Sequence, residues 1–196
     1  MSERVRQLRE MTGAGLLDCK KALESAAGDL ERAVRILREK GLALAAKKAG
    51  REASEGAIDA YIHPGSRLGV LVEVNCETDF VARTAEFREF VHEVAMQIAA
   101  MNPTYVSRDQ VPGEALERER EILRVQAEAE GKPAHVAEKI VQGRLDKFFQ
   151  QACLLDQPYI RDGQVTVGQL LTQLIARVGE NVVIRRFARF DVGEAS

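Results

Sequence analysis

Leu68-Gly69-Val70-Leu71-Val72-Glu73-Val74-Asn75 and, two residues on, Thr78-Asp79-Phe80-Val81 decide how this chain folds. The first eight residues form a strand-like apolar run. The tetrapeptide sets an acid and a large aromatic side by side where that strand gives way to a helix. Thr78 or Asp79 can cap the helix by accepting its free N–H groups, so both are expected at an element boundary near solvent. An isolated T-D-F-V string reads as a helix cap followed by a phenylalanine that turns back into its own core. The sequence around it changes that weighing.

Immediately upstream, Ile58, Ala60 and Ile62 alternate with Asp59, Tyr61 and His63. A period of two marks a half-buried strand with the apolar set as one face. Pro64-Gly65-Ser66 turns the chain into the run that leads to Thr78, which makes a hairpin. Downstream, Phe87, Phe90, Val91, Val94, Ile98 and Met101 share a face of a long amphipathic helix, ended by Asn102-Pro103. Two further helices flank Gly131-Lys132-Pro133. The first, about Pro112 to Glu130, carries Glu114/Arg118 and Glu121/Arg124 at ion-pair spacing, with Leu116 and Leu123 as a narrow seam. The second presents Ala137, Val141, Leu145 and Phe148. Together they predict an antiparallel helical hairpin at about 112–151, projecting into solvent. Thr166-Val-Gly-Gln169 is a capping box that opens a helix with Val167, Leu170, Leu171, Leu174, Ile175 and Val178 on one side. Val182, Ile184, Ala188, Phe190 and Val192 alternate along a final strand. Residues 55–196 are therefore expected to be α+β, a small antiparallel sheet with helices on one face and an inserted helical hairpin.

The first 41 residues read as a separate three-helix module. Val5, Leu8 and Met11 share a face of the first helix, and the chain breaks at Thr12-Gly13-Ala14-Gly15. A second helix runs from Leu16 to about Ala27; Gly28 ends it, Asp29 caps a third, and Gly41 is expected to stop that one. Leu30, Ala33, Val34, Ile36 and Leu37 supply the third helix with an apolar stripe. So small a module has little independent core. Gly13 and Gly15 do not make a phosphate loop, because no strand precedes them and no third glycine follows in place. Residues 42–54 look like a linker, helical at first and loosened by Gly50.

Composition sets outer bounds. Of the 196 residues, 45% are hydrophobic and 30% charged, as in ordinary soluble globular proteins. No apolar run is long enough to span a bilayer and the N-terminus lacks a signal-peptide stretch, so a cytoplasmic location is expected. The net charge of −2 is unevenly spread. Residues 1–51 hold 12 Lys and Arg against 7 Asp and Glu, and the rest holds 16 against 23. A basic head suits nucleic acid or an acidic protein. Few aromatics accompany it, so base stacking has little support and a protein partner fits better. An RNA-binding accessory factor is the alternative. Cys19, Cys76 and Cys153 are scattered, giving neither a disulfide framework nor a zinc site. Glu77 and Asp79 beside Cys76 are expected to raise its pKa and blunt it as a nucleophile. His63, His92 and His135 show no ligand spacing, and no nucleophile–base motif is present. Neither an enzyme, a metal nor a cofactor is expected.

The string from Leu71 to Ala82, Leu-Val-Glu-Val-Asn-Cys-Glu-Thr-Asp-Phe-Val-Ala, resembles the signature of bacterial elongation factor Ts, the family of nucleotide-exchange factors for the GTPase elongation factor Tu. Thr12 to Leu23, Gly131-Lys132-Pro133 with Ala137 to Arg144, Thr166 to Leu171, and Phe190 to Glu194 resemble other parts of that family in the same order. The matches cover nearly the whole chain. The resemblance implies a ubiquitin-associated-like fold for residues 1–41. It implies that Thr78, Asp79, Phe80 and Val81 contact elongation factor Tu, with Asp79 and Phe80 intruding near its magnesium ion so that GDP leaves. Leu16 and Leu17, beside the glycine turn, are candidate second contacts, although either could equally fill the module's own core. His63 is a third candidate, and a lone histidine is more often simply solvated. Many bacterial relatives carry two core subdomains in tandem; one is found here, which implies a twofold homodimer. Neither membrane nor direct nucleic-acid contact is expected.

Overall fold

The computed structural model describes residues 3–131 and 134–194, without the side chains of residues 134 and 135. The chain opens with α1 (Glu3–Thr12), α2 (Leu16–Ser25) and α3 (Leu30–Lys48). Their core is Val5, Leu8, Cys19, Ala22, Leu23, Ala26 and Ala33, with Leu30, Val34, Ile36 and Leu37 packed against it. Asp29 caps α3 as expected, accepting from the Arg32 N–H at 2.7 Å. Met11, expected on the apolar face of α1, is exposed instead. Helical rotation carries it about 120° from Val5, to the edge of the buried stripe.

Gly41 does not stop α3, which runs on to Lys48. The reason lies in α8 (Val167–Val178). A Cβ at position 41 would come within 3.5 Å of the Ala176 Cβ and 3.8 Å of the Thr172 Cγ2. The glycine serves close helix approach, and packing overrides its weak helix propensity.

Three strands, β1 (Glu55–Ile62), β2 (Leu68–Cys76) and β5 (Val182–Asp191), form a sheet in the order β1-β2-β5. Gly56 is required where β1 starts: at φ +150°, any Cβ would lie 2.2 Å from the Val74 carbonyl oxygen. In β2, Val70, Val72, Val74 and Cys76 are buried and Leu71 is exposed, the alternation of a sheet covered on one face. The phase of β1 is the reverse of the expected one. Ile58 and Ile62 are exposed at 69% and 60%, while Asp59 and Tyr61 lie on the partly covered side. Asp59 is held there by His92, whose Nδ1 lies 2.8 Å from its Oδ2. Strand β5 buries Val182 and Ile184, then changes phase at Arg185-Arg186, so that Phe190 and, just past the strand, Val192 are exposed rather than core.

The chain continues from β2 into α4 (Asp79–Ala82) and α5 (Ala85–Met101). Phe87, Phe90, Val91, Val94 and Ile98 are buried as their spacing foretold, and Met101 is exposed. Next come α6 (Gly113–Ala129) and α7 (Ala134–Ala152), packed through Leu123, Ala127, Ala137, Val141 and Leu145. Lys132 and Pro133 of the expected turn lie outside the described residues. Phe149, next to the expected Phe148, is the buried ring of that pair. A short antiparallel pair, β3 (Pro158–Tyr159) with β4 (Asp162–Thr166), was not legible in the sequence. By contact the chain divides into two compact units. One is Met1–Tyr61, Leu71–Ala95 and Gln169–Ala188; the other is Ile62–Val70, Met96–Gly168 and Arg189–Ser196.

Candidate functional site

Helix α4 is only four residues long. A single turn cannot sustain itself, because nucleation costs more than one hydrogen bond returns. Its neighbours must therefore hold it. Val81 and Ala82 are buried and face inward. Thr78 is the N-cap, accepting from the Val81 N–H at 3.4 Å, a long and weak bond. The stronger bonds of Thr78 go elsewhere. Its hydroxyl donates to Glu180 Oε1 at 2.7 Å and its backbone N–H donates to Glu180 Oε2 at 3.0 Å.

With the turn fixed from below, Phe80 stands out at 79% exposure. It does not turn back into its own core. A ring so uncovered has no packing role within the described fold. Asp79 beside it pairs with Arg83 at 2.8 Å, both partly in solvent. Such a pair is easily broken and contributes little to stability. The pair of interest is thus an accessible carboxylate next to an accessible aromatic ring.

The residues beneath are tightly connected. Glu77 accepts from the Asn181 backbone N–H at 2.6 Å and from Arg51 at 3.4 Å. Asn181 in turn donates from Nδ2 to the Arg51 carbonyl at 2.7 Å. The Asn181 N–H, with help from Arg51, holds the Glu77 carboxyl below the usual glutamate range. Burial pushes the Cys76 thiol up to about 11, and the Glu180 charge adds to that. The direction was legible in the sequence, but burial and Glu180 are larger causes than the acids adjacent in the chain. The thiol donates to the Thr78 carbonyl at 3.1 Å.

The other candidates fall in different places. Leu16 and Leu17 open α2 and are exposed at 45% and 63%, and Leu16 borders an apolar hollow with Val5 and Leu23. His63 belongs to the other unit, at the turn between β1 and β2, where its N–H donates to the Leu68 carbonyl at 2.9 Å. Among the described residues, no group of three or more His, Cys, Asp or Glu could hold a metal ion. None of their helices is long and apolar enough to cross a membrane. Glu180, Asn181 and Arg51 were missed from sequence. Glu180 lies 102 residues from Thr78, and only the polar Gly179-Glu180-Asn181 break after α8 hinted at it.

A family model described as elongation factor TS matches residues 18–194. A protein named elongation factor Ts from Caldanaerobacter subterraneus subsp. tengcongensis is 64% identical over 193 residues, covering 98% of this chain and 96% of the relative. One of the same name from Carboxydothermus hydrogenoformans is 63% identical, covering 98% and 89%. Another from Moorella thermoacetica is 60% identical, covering 97% and 94%. These relatives are close to this chain in length.

Proposed function

The chain belongs to the elongation factor Ts family, and from that premise we propose that it binds elongation factor Tu and speeds GDP release by displacing the bound magnesium ion with Thr78–Val81. The observation that carries the reading is the exposure of Phe80 on a turn held at Thr78 by Glu180 and at Val81 and Ala82 by burial. A translational GTPase holds its nucleotide through a phosphate loop and a magnesium ion that must let go together. An exchange factor needs no chemistry of its own. It binds the empty GTPase better than the loaded one, and by linkage loosens nucleotide as much as nucleotide loosens it. Phe80 acts as the wedge and Asp79 brings negative charge toward the phosphates. Val81, buried, anchors the wedge from within.

Magnitude favours contacts beyond the turn. A thousandfold acceleration needs about 4 kcal/mol. Burying one phenylalanine contributes about 1.5–3 kcal/mol. The remainder comes from docking elsewhere. Leu16 and Leu17 are the second contact in this reading, steered by the basic charge of residues 1–51, and His63 a third of less weight. Residues 1–41 are taken as a ubiquitin-associated-like module, 42–54 as its linker and 55–196 as the core. Helices α6 and α7 are read as an antiparallel hairpin. The protein works in the cytoplasm, as a homodimer without direct nucleic-acid contact. Each strand of the main sheet leaves a large apolar side chain uncovered (Ile58 and Ile62, Leu71, Phe190), which favours a protein-covered sheet. Light scattering at micromolar concentration should give twice the chain mass; a monomer would count against pairing.

Stopped-flow release of a fluorescent GDP analogue from elongation factor Tu tests the main claim. Wild type should accelerate release, and Phe80→Ala, with an unchanged circular dichroism spectrum, should lose most of that acceleration. A mutant as fast as wild type removes Phe80 from the mechanism.

A further inference from the structure

We propose that Glu180 is a positioning residue for exchange: from the loop between α8 and β5 it fixes the angle at which Asp79 and Phe80 leave the surface. This rests on the reading that Phe80 drives GDP release. The geometry is specific. Both carboxylate oxygens of Glu180 are used on one residue, Thr78, through its hydroxyl at 2.7 Å and its N–H at 3.0 Å. Both bonds are well within hydrogen-bond range, whereas the cap bond inside the turn is stretched to 3.4 Å, so this grip outweighs it.

The two loops also hold each other reciprocally. Glu77 of the first takes the N–H of Asn181 in the second, while Glu180 of the second takes the N–H of Thr78 in the first. Arg51 closes the ring, giving its carbonyl to Asn181 and its guanidinium to Glu77. A turn of four residues gains a fixed direction from this, because three chain segments must move before it can tilt. Glu180 never needs to touch the partner. It acts through Thr78.

Reach and charge can be separated. Glu180→Gln keeps the reach and can accept from the Thr78 N–H while donating to its hydroxyl. Glu180→Asp keeps the charge but falls one methylene short. With elongation factor Tu carrying a fluorescent GDP analogue, Glu180→Ala and Glu180→Asp should lower the release rate at saturating factor by about tenfold, inside the roughly 100-fold that a misplacement of about 1 Å can cost. The concentration for half saturation should stay within about twofold, and Glu180→Gln should recover most of the rate. In a Phe80→Ala background, Glu180→Ala should cost nothing further, because the two act as a unit. A full additional loss there, or a fast Glu180→Asp beside a slow Glu180→Gln, overturns the positioning role. A wild-type rate for Glu180→Ala beside a slow Phe80→Ala overturns it alone. A wild-type rate for Phe80→Ala overturns the exchange reading beneath it. Should Glu180→Ala not fold, the Asp and Gln pair still decides.

Discussion

The three N-terminal helices bury Leu8, Cys19 and Ala33 completely and hold Leu17 out on an apolar base, whereas Phe80 stands on one turn gripped at Thr78 by the Glu180 carboxylate. Both regions present apolar side chains to solvent. Their foundations differ in kind. An apolar base is non-directional: it sets how firmly a helix is held but tolerates small rotations. A hydrogen-bonded base is directional, and sets where a side chain points. The module suits a contact whose task is affinity. The turn suits one that must enter a narrow site at a fixed angle.

The largest effect should come from attacking the apolar base. Leu8→Ala should cost about 2–5 kcal/mol, the usual range for truncating a buried leucine. In the full chain this should appear as an early step in urea unfolding, ahead of the sheet. A single unshifted transition would show that the module does not rest on Leu8. Next, Phe80→Ala should lose about 1.5–3 kcal/mol of exchange acceleration and leave the unfolding midpoint almost unmoved. A large drop in stability would place the ring inside the fold after all.

The polar base should report through pH. The Glu77 carboxyl is held low in the folded protein. Its contribution to stability is therefore present above the unfolded glutamate value and is lost as pH falls through the depressed folded value. Unfolding free energy should decline over that acid window, and Glu77→Gln should flatten the slope. An identical slope in the mutant would remove Glu77 as its cause. The smallest effect is expected at the exposed Asp79–Arg83 pair, where Arg83→Ala should change stability by less than about 1 kcal/mol. A larger change would mean that the pair itself braces the turn.

Much of the fold could be read from periodicity. The apolar stripe of α5 and the cap at Asp29 came directly from spacing and residue type. Thr78, Asp79, Phe80 and Val81 were found as a string, and the exposure of Phe80 bears on the string's role without deciding it. What spacing could not supply was direction. Alternation in β1 gave the period of two but not which set faces inward; Asp59 lies on the covered side, 2.8 Å from His92. Gly41 has the chemistry of a helix stop, yet its use is set by Ala176, 135 residues further along. The grip of Glu180 on Thr78 is equally non-local. Local sequence names the candidate residues, and distant sequence holds the turn on which they stand.

The thiols of this protein have a practical consequence. Cys19, Cys76 and Cys153 are all buried, and burial keeps Cys76 and Cys153 near 11. Thiolate is the reactive form, so a maleimide dye at neutral pH should find almost no native sulfur to label. A cysteine introduced at a solvent-facing position of α2 could then carry a fluorophore without stripping the native ones, and report the moment of partner capture in real time.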